Sequence, residues 1–575
     1  MKIILDNIYN FIGKNICNLI LIICLFTSFQ QHYHTFKCEK IIKSDGLGYY
    51  SYLPAIFIYN DYSFSFTDII SKKYEHTDFG DGFLKETNEG KVNKYYIGLS
   101  ILWLPFFLLA HMLAILFGLP ADGYSIIYQI LILISSNFYL WIGCIYTKKI
   151  ILNHKIPSWV LPIILLLVVF GTNLYLYATF DASHSHIYSF SIIAVFLYFT
   201  QKFFSTKKSK YIYVFVLLLG MIVLLRPTNI TIALFILYFS ESFKKFLITL
   251  KENMNHFIYS IGFFFCIISF QLILYYFQTN QFIVWSYGDE TFNFSNPKFF
   301  KILFSYKKGL FVYTPIVLVS LLGLIYLFIE NKFKFIVLCF FLLINTFIIA
   351  SWWCWWYGAS LGQRSYVDFY AVLGLMLALS YFITEKIKFR WLIPIMSPFF
   401  IYYSLVLSYQ YRYTIIDWES MSKEKFWFSF LKTDKKYIGI THFTQLFSDI
   451  KNPNIVQIKS SYNKFLSAEK DVENNVLADK ENAQIWETFN MVKLNKKQIA
   501  IKVDNGNFFS INPTDFSIKH DAKKITKNQI FEFIQLPNDS LILKGVNEKY
   551  ITIIDNKLYC TANKINAEKF YLINL

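Results

Sequence analysis

Charge is what this sequence has least of. Only 16% of its 575 residues are Asp, Glu, Lys or Arg, and 55% are hydrophobic, whereas a soluble domain carries about a quarter charged residues. That shortage excludes a single water-soluble core of this length and indicates several membrane spans. Acids are scarcer than bases, 38 against 55, giving a formal net charge of +17. In a membrane protein such an excess sits in cytoplasmic loops and sets topology. No Lys/Arg stripe stands apart from the apolar segments, so the charge does not indicate a nucleic-acid partner. Eight cysteines are scattered without a Cys-x-x-Cys pair, which leaves zinc and redox chemistry little support. The apolar run ending at Phe29 is followed by no small-residue cleavage site, and reads as a retained first span.

What is present is apolar sequence in lengths of about 20 residues, the thickness of a bilayer. Eleven spans are expected, near 10–30, 124–147, 157–179, 187–204, 211–225, 228–243, 256–278, 310–329, 333–351, 367–384 and 391–409. The basic clusters Lys148/Lys149/Lys155, Lys207/Lys208/Lys210, Lys244/Lys245/Lys251, Lys332/Lys334 and Lys386/Lys388/Arg390 all become cytoplasmic if a twelfth apolar stretch, 96–118, does not change sides. That stretch is therefore expected in the outer leaflet, with an ordinary span as the alternative. The N-terminus is then cytoplasmic, and 31–95, "FDASHSHIYS", "RPTN", 279–309, "WWCWWYGASLGQRSY" and everything after 410 face outward.

These outer stretches hold the polar residues. Asp45, in "KSDGLGYYSYLPAIF", can serve as a general base if held near a hydroxyl; its alternative is a helix-cap or turn acid. Gly46 and Gly48 allow close backbone approach, and Tyr49, Tyr50 and Tyr52 suit an interface. Arg226 ends a span, where an unpaired cation is costly. Arg364 offers a planar fork matched to phosphate. With Lys307 and Lys308 these compose a cationic site for a lipid-borne phosphate, against headgroup anchoring as the alternative for the lysines. Asp181, His184 and His186 form "DASHSH", a His-x-His pair for which spacing fixes no third metal ligand. Asp289 and Glu290 are outer acids able to hydrogen-bond a sugar. Trp352, Trp353, Trp355 and Trp356 fit an interfacial belt or a sugar platform.

The ordered set "SDGLGYYSYLPA", "KYYIGLSILWLPFFLLAH", "FDASHSHIYSF", "LRPTN", "SYKKGLFVYTP" and "WWCWWYGASLGQRSY" resembles the GT-C superfamily of membrane glycosyltransferases. The likeness is to bacterial members related to protein O-mannosyltransferases and aminoarabinose transferases, and it covers residues 10–410. It implies a polytopic α-helical GT-C fold in the bacterial inner membrane with a periplasmic active site. It implies a sugar donor on an undecaprenyl- or dolichyl-type phosphate, a glycan, lipid or protein acceptor, and inversion by in-line attack with Asp45 as base. Arg364, Arg226, Lys307 and Lys308 would bind the donor phosphate. Tyr49, Tyr50, Lys94, Tyr95, Asp181, His184, His186, Asp289, Glu290, Trp355 and Trp356 are the substrate-binding candidates. Several relatives carry a second acid beside the first; here Gly46 follows, so use of Mg²⁺ or Mn²⁺ stays open. The alternative function is a transporter or polymerase of lipid-linked glycans, but the inverted repeats and broken midplane helices of a transporter are not evident.

After a 411–450 linker the composition changes. "NIVQIKSSYNKFLSA", "KQIAIKVDNGNFFSI" and "DSLILKGVNEKYITI" align, with Lys459, Lys502 and Lys544 in register, and the closing segments match at Phe489, Phe531 and Phe570 and at Leu494, Leu536 and Leu575. Three repeats of strands and turns lead to the expectation of an all-β domain over 451–575, a β-trefoil resembling the fascin-like group. Its role is either carbohydrate binding or that of a spacer and docking module.

Overall fold

The computed structural model describes residues 2–33, 40–74, 82–87, 90–448, 453–469 and 473–575; parts of the outer loop 31–95 and of the 411–450 linker lie outside these. The chain divides into two compact units, Met1–Ser408 and Tyr409–Leu575.

The first unit is helical. Among the described residues, eight helices are long and apolar enough to cross a membrane: Ile12–His32, Gly98–Leu116, Ile126–Leu152, His186–Thr206, Met254–Thr279, Lys332–Ser351, Arg364–Lys386 and Leu392–Arg412. Their burial differs sharply. In the most apolar 18 residues of Arg364–Lys386, 94% of the residues are buried, whereas in Met254–Thr279 only 17% are, and most of that helix faces outward.

The eight include Gly98–Leu116, which was not among the eleven expected spans, so seven of the eleven form helices of this length and four do not. The stretch 157–179 forms Val160–Phe170 and Leu174–Thr179, parted at Gly171, where a Cβ would meet Leu167 O at 2.7 Å. Thr172 Oγ1 accepts from Leu174 N there at 3.1 Å and supports the break. The stretch 211–225 forms Lys210–Leu225, which ends at the expected break before Pro227, while 228–243 is divided into a 3-10 helix, Pro227–Ala233, and Leu234–Ser240; proline lacks the N–H that a continuing helix needs. The stretch 310–329 becomes Leu310–Tyr313, Ile316–Ser320 and Leu322–Glu330 around Pro315. Hydropathy averaged over a window does not register such interruptions.

The helix Gly98–Leu116 has the length and composition of a crossing helix, yet one segment holds both its ends. Tyr52 donates to Tyr95 O at 2.8 Å before the helix, and Lys73 and Tyr74 each donate to Asp122 Oδ2 at 2.6 Å after it. Between these points Tyr50 packs edge-on to Trp103 and Phe107.

A short hairpin, β1 (Leu84–Thr87) with β2 (Gly90–Asn93), precedes that helix. Gly90, at φ +147°, lies so close to the Gln278 carbonyl that a Cβ would sit 2.8 Å from it.

The second unit begins with a helical stretch whose buried Lys425 is held by Asp417 at 2.7 Å and Thr444 at 2.9 Å. Twelve strands follow: β3 (Ile455–Ser460), β4 (Phe465–Ser467), β5 (Leu477–Lys480), β6 (Thr488–Lys493), β7 (Gln498–Lys502), β8 (Phe508–Ile511), β9 (Ile518–Ala522), β10 (Phe531–Gln535), β11 (Ser540–Lys544), β12 (Tyr550–Ile554), β13 (Lys557–Ala562) and β14 (Phe570–Asn574). Their antiparallel pairing closes into a barrel of nine strands, β10–β11–β12–β13–β5–β4–β3–β6–β7 and back to β10, while β14 joins β11 to β3. The expected trefoil implies a six-stranded barrel with three separate hairpins. Here the outer strands of the third and first repeats pair at Lys557 and Leu477, which draws them into the ring, while β8–β9 stays a branch. The coarser architecture stands: a closed all-β domain built from three repeats.

The matched aromatics explain it. Phe489, Phe531 and Phe570 are all 0% exposed in one apolar cluster. Their aliphatic counterparts differ, since Leu494 is exposed at a turn closed by its N–H to Gln498 O. Gly506, at φ +90°, makes the turn between β7 and β8, its N–H donating to Val503 O at 3.1 Å.

Candidate functional site

Asp45 opens the helix Asp45–Pro54, where the unpaired N–H groups of the first turn favour an acid. Two glycines let that helix pack tightly. A Cβ on Gly46 would lie 2.3 Å from Ser183 Oγ, and one on Gly48 would lie 2.2 Å from the Tyr95 ring. Tyr95 is set by its neighbour Asn93, whose side chain accepts from Tyr95 N at 3.0 Å and donates to Gly48 O at 2.7 Å. Its hydroxyl therefore reaches Asp45 Oδ1 at 2.8 Å. Asp45 Oδ2 is taken by Arg364 Nη2 at 2.9 Å. Burial pushes the Asp45 carboxyl up, but Arg364, with His184, the Tyr95 hydroxyl and Lys94, outweighs it and holds the group well below the usual carboxylate range.

A second charge centre lies around Asp368, which is fully buried. His186 Nδ1 donates to its Oδ1 at 2.7 Å, Asn229 donates to its Oδ2 at 2.8 Å, and Arg226 Nε stands 3.6 Å from Oδ2. Arg226 arrives there because its backbone is extended (φ −155°, ψ 109°) at the end of Lys210–Leu225. A third centre is Glu290, bonded by Lys94 at 3.2 Å and Lys85 at 3.3 Å.

These centres share a cavity of about 320 Å³. Asp45, Tyr49, Lys94, Tyr95, His186, Arg226, Glu290 and Arg364 line it, together with Trp285, Tyr287, Phe292, Trp352, Trp353 and Tyr357. The aromatic side is built from two loops tied by Asn293 N to Ser351 O at 2.6 Å and Trp353 N to Thr291 O at 3.1 Å. A mixed wall of aromatic faces and fixed charges is the chemistry that receives a polar, phosphate-bearing ligand.

The other candidates named from sequence lie outside the lining. Lys307 stands over the Trp356 ring at 3.7 Å, and Lys308 is buried with its ammonium donating to Ser360 O. Trp355 is buried against Ile302 and Ile349. Tyr50 is buried and donates to Gly123 O at 2.5 Å, and Asp289 is exposed. Asp181 pairs with Lys43 at 3.0 Å; burial raises its carboxyl, but Lys43 and His184 bring it below the ordinary value. His184 stacks on His186 at 6.4 Å, and burial holds it below the ordinary histidine value. Among the described residues no three His, Cys, Asp or Glu side chains gather as a metal site; His186 is turned to Asp368 and Asp181 to Lys43.

Sequence reasoning passed over Asp368, Tyr287, Tyr357 and Lys43. Asp368 carried a signal, since an acid at the head of an apolar run marks function by default, but the run was taken whole as a span.

Residues 448–568 are similar to a family described as a domain of unknown function, DUF7910. That match falls within the β domain and covers well under half of the chain. No curated protein matches the chain.

Proposed function

We propose that the first unit is a membrane glycosyltransferase of the GT-C kind, which moves a sugar from a polyprenyl-phosphate donor to an acceptor hydroxyl on the outer, periplasmic face, with inversion. One observation carries this reading: a single cavity gathers Asp45, Arg364 and Arg226, drawn from stretches far apart in sequence. In the transfer the acceptor oxygen bonds to the anomeric carbon, and the bond from that carbon to the phosphate oxygen breaks with its electron pair. Asp45 takes the acceptor's proton. Arg364 and Arg226 stabilise the departing phosphate, which needs no protonation to leave. Trp352 and Trp353 offer ring faces to the sugar. The attachment of both ends of Gly98–Leu116 to residues 52–74 supports a helix lying along the surface, the arrangement that keeps the cavity side outward. The β domain, tethered on the same chain, captures the acceptor and raises its local concentration.

The test is turnover in nanodiscs with a panel of hexosyl and pentosyl polyprenyl phosphates, scored by released polyprenyl phosphate. Transfer that requires both Asp45 and Arg364 is expected. Failure to consume every member of the panel, by protein that stays folded, overturns the reading.

A further inference from the structure

Every cation of the cavity already has a carboxylate. Arg364 is with Asp45, Arg226 with Asp368, and Lys94 with Glu290. An entering phosphate therefore competes with a carboxylate for one of them, since two anions at contact distance on one guanidinium repel.

The three pairs are not equally able to open. Asp368 has no exposure and would be left as a buried charge among fixed partners, a costly state. Glu290 is held by two lysines, and Lys94 offers the phosphate a point charge where Arg364 offers a planar fork. Asp45 is 30% exposed on its side chain and borders the cavity. If Arg364 turns away, its carboxylate keeps the Tyr95 hydroxyl and gains room for a hydroxyl group on Oδ2.

We propose that Arg364 exchanges partners, holding Asp45 in the empty cavity and the donor phosphate in the loaded one, so that the donor itself releases the base. This rests on the transferase reading above and deepens it, because the acceptor's proton has somewhere to go only after the donor is seated. Asp45 then acts in sequence: first as the counter-ion that keeps Arg364 in place, next as the acceptor of the proton from the attacking hydroxyl. The carbon–phosphate-oxygen bond breaks toward the anion that Arg364 now holds. Binding is then ordered, donor before acceptor.

The full-length protein in nanodiscs is titrated with a short-chain polyprenyl phosphate and, separately, with the matching polyprenol. An internal competitor lowers apparent affinity by the fraction of time that it occupies the site. Asp45→Asn, which keeps the side chain's shape, is expected to bind the phosphate at least about tenfold more tightly than wild type and the polyprenol unchanged. Arg364→Ala is expected to lose the preference for phosphate over alcohol. If wild type prefers the phosphate while Asp45→Asn binds it equally or more weakly, the exchange is refuted and the transferase reading survives. If wild type shows no preference for phosphate, the reading of the cavity falls and takes the exchange with it.

Discussion

Replacing Asp368 with Asn removes one negative charge from a place without access to water. The side chain keeps its shape, so no cavity opens and the cost is electrostatic. Arg226, 17% exposed, loses the carboxylate that offsets its desolvation. Breaking one partner out of a buried pair costs about 3–5 kcal/mol. The bond from Asn229 weakens too, from a charged acceptor to a neutral one, a loss of about 1 kcal/mol. Partial exposure of the guanidinium reduces the first figure, and a net loss of about 3 kcal/mol is expected. The double variant Asp368→Asn with Arg226→Met removes both charges together and should cost about 1–2 kcal/mol, less than the Asp368→Asn loss alone and so well short of the sum of the two single losses. Equilibrium unfolding in mixed micelles, followed by far-ultraviolet circular dichroism on the four proteins of the cycle, measures this directly. An Asp368→Asn protein within about 0.5 kcal/mol of wild type would refute the electrostatic account. So would a double variant whose loss is the plain sum of the two single losses.

Three other outcomes follow from the same geometry. Gly48→Ala places a methyl against the Tyr95 ring, where the ideal position lies 2.2 Å from Cδ2; overpacking of this kind costs about 1–3 kcal/mol, and sugar turnover should fall with stability, as thermal melts and donor turnover on one preparation will show. Lys425→Met in a 409–575 fragment strands the buried Asp417 carboxylate and should lower the melting temperature by many degrees, while the parent fragment should give one cooperative β-type transition; an unfolded parent would contradict its status as a separate compact unit. Leu119→Cys and Ile69→Cys, both at exposed positions, should react with an impermeant maleimide from the same, outer side in a cysteine-free background; labelling from opposite sides would make Gly98–Leu116 a crossing helix.

The parts of this protein that were legible in its sequence are those where one residue type has one physical use. Phe489, Phe531 and Phe570 recur in repeats and fill one core, because a large apolar ring in an alternating strand has nowhere else to go. Asp45 and Arg364 were each singled out, but spacing along a chain does not reveal that two residues 319 positions apart close to a contact of 2.9 Å. Asp368 was hidden by the apolar run around it. The break before Pro227 was expected, between 211–225 and 228–243; those at Gly171 and Pro315 were equally visible as single letters, yet a hydropathy window weighs composition and not continuity. Leu494 matched its repeat partners in type and ended exposed, since a residue at a strand end answers to the turn beside it. Lys307 and Lys308 carried the right charge; what decides their place is a tryptophan face and a backbone carbonyl, neither of which spacing displays.

The interruption before Pro227 has a consequence for anyone seeking a sturdier version of this protein. An unbroken helix through residues 225–234 would satisfy more backbone groups and would score better by any measure of local propensity. It would also withdraw Arg226 from its extended conformation and swing the guanidinium off the cavity wall. Under the proposed transferase reading, the conformation best for the scaffold and the one that presents Arg226 to the cavity differ at this position, and selection for heat resistance alone would be drawn away from the latter. The same conflict makes helix breakers useful as landmarks. In a long apolar sequence such as this one, a proline beside an arginine marks where the chain gives up helical regularity and presents a charge.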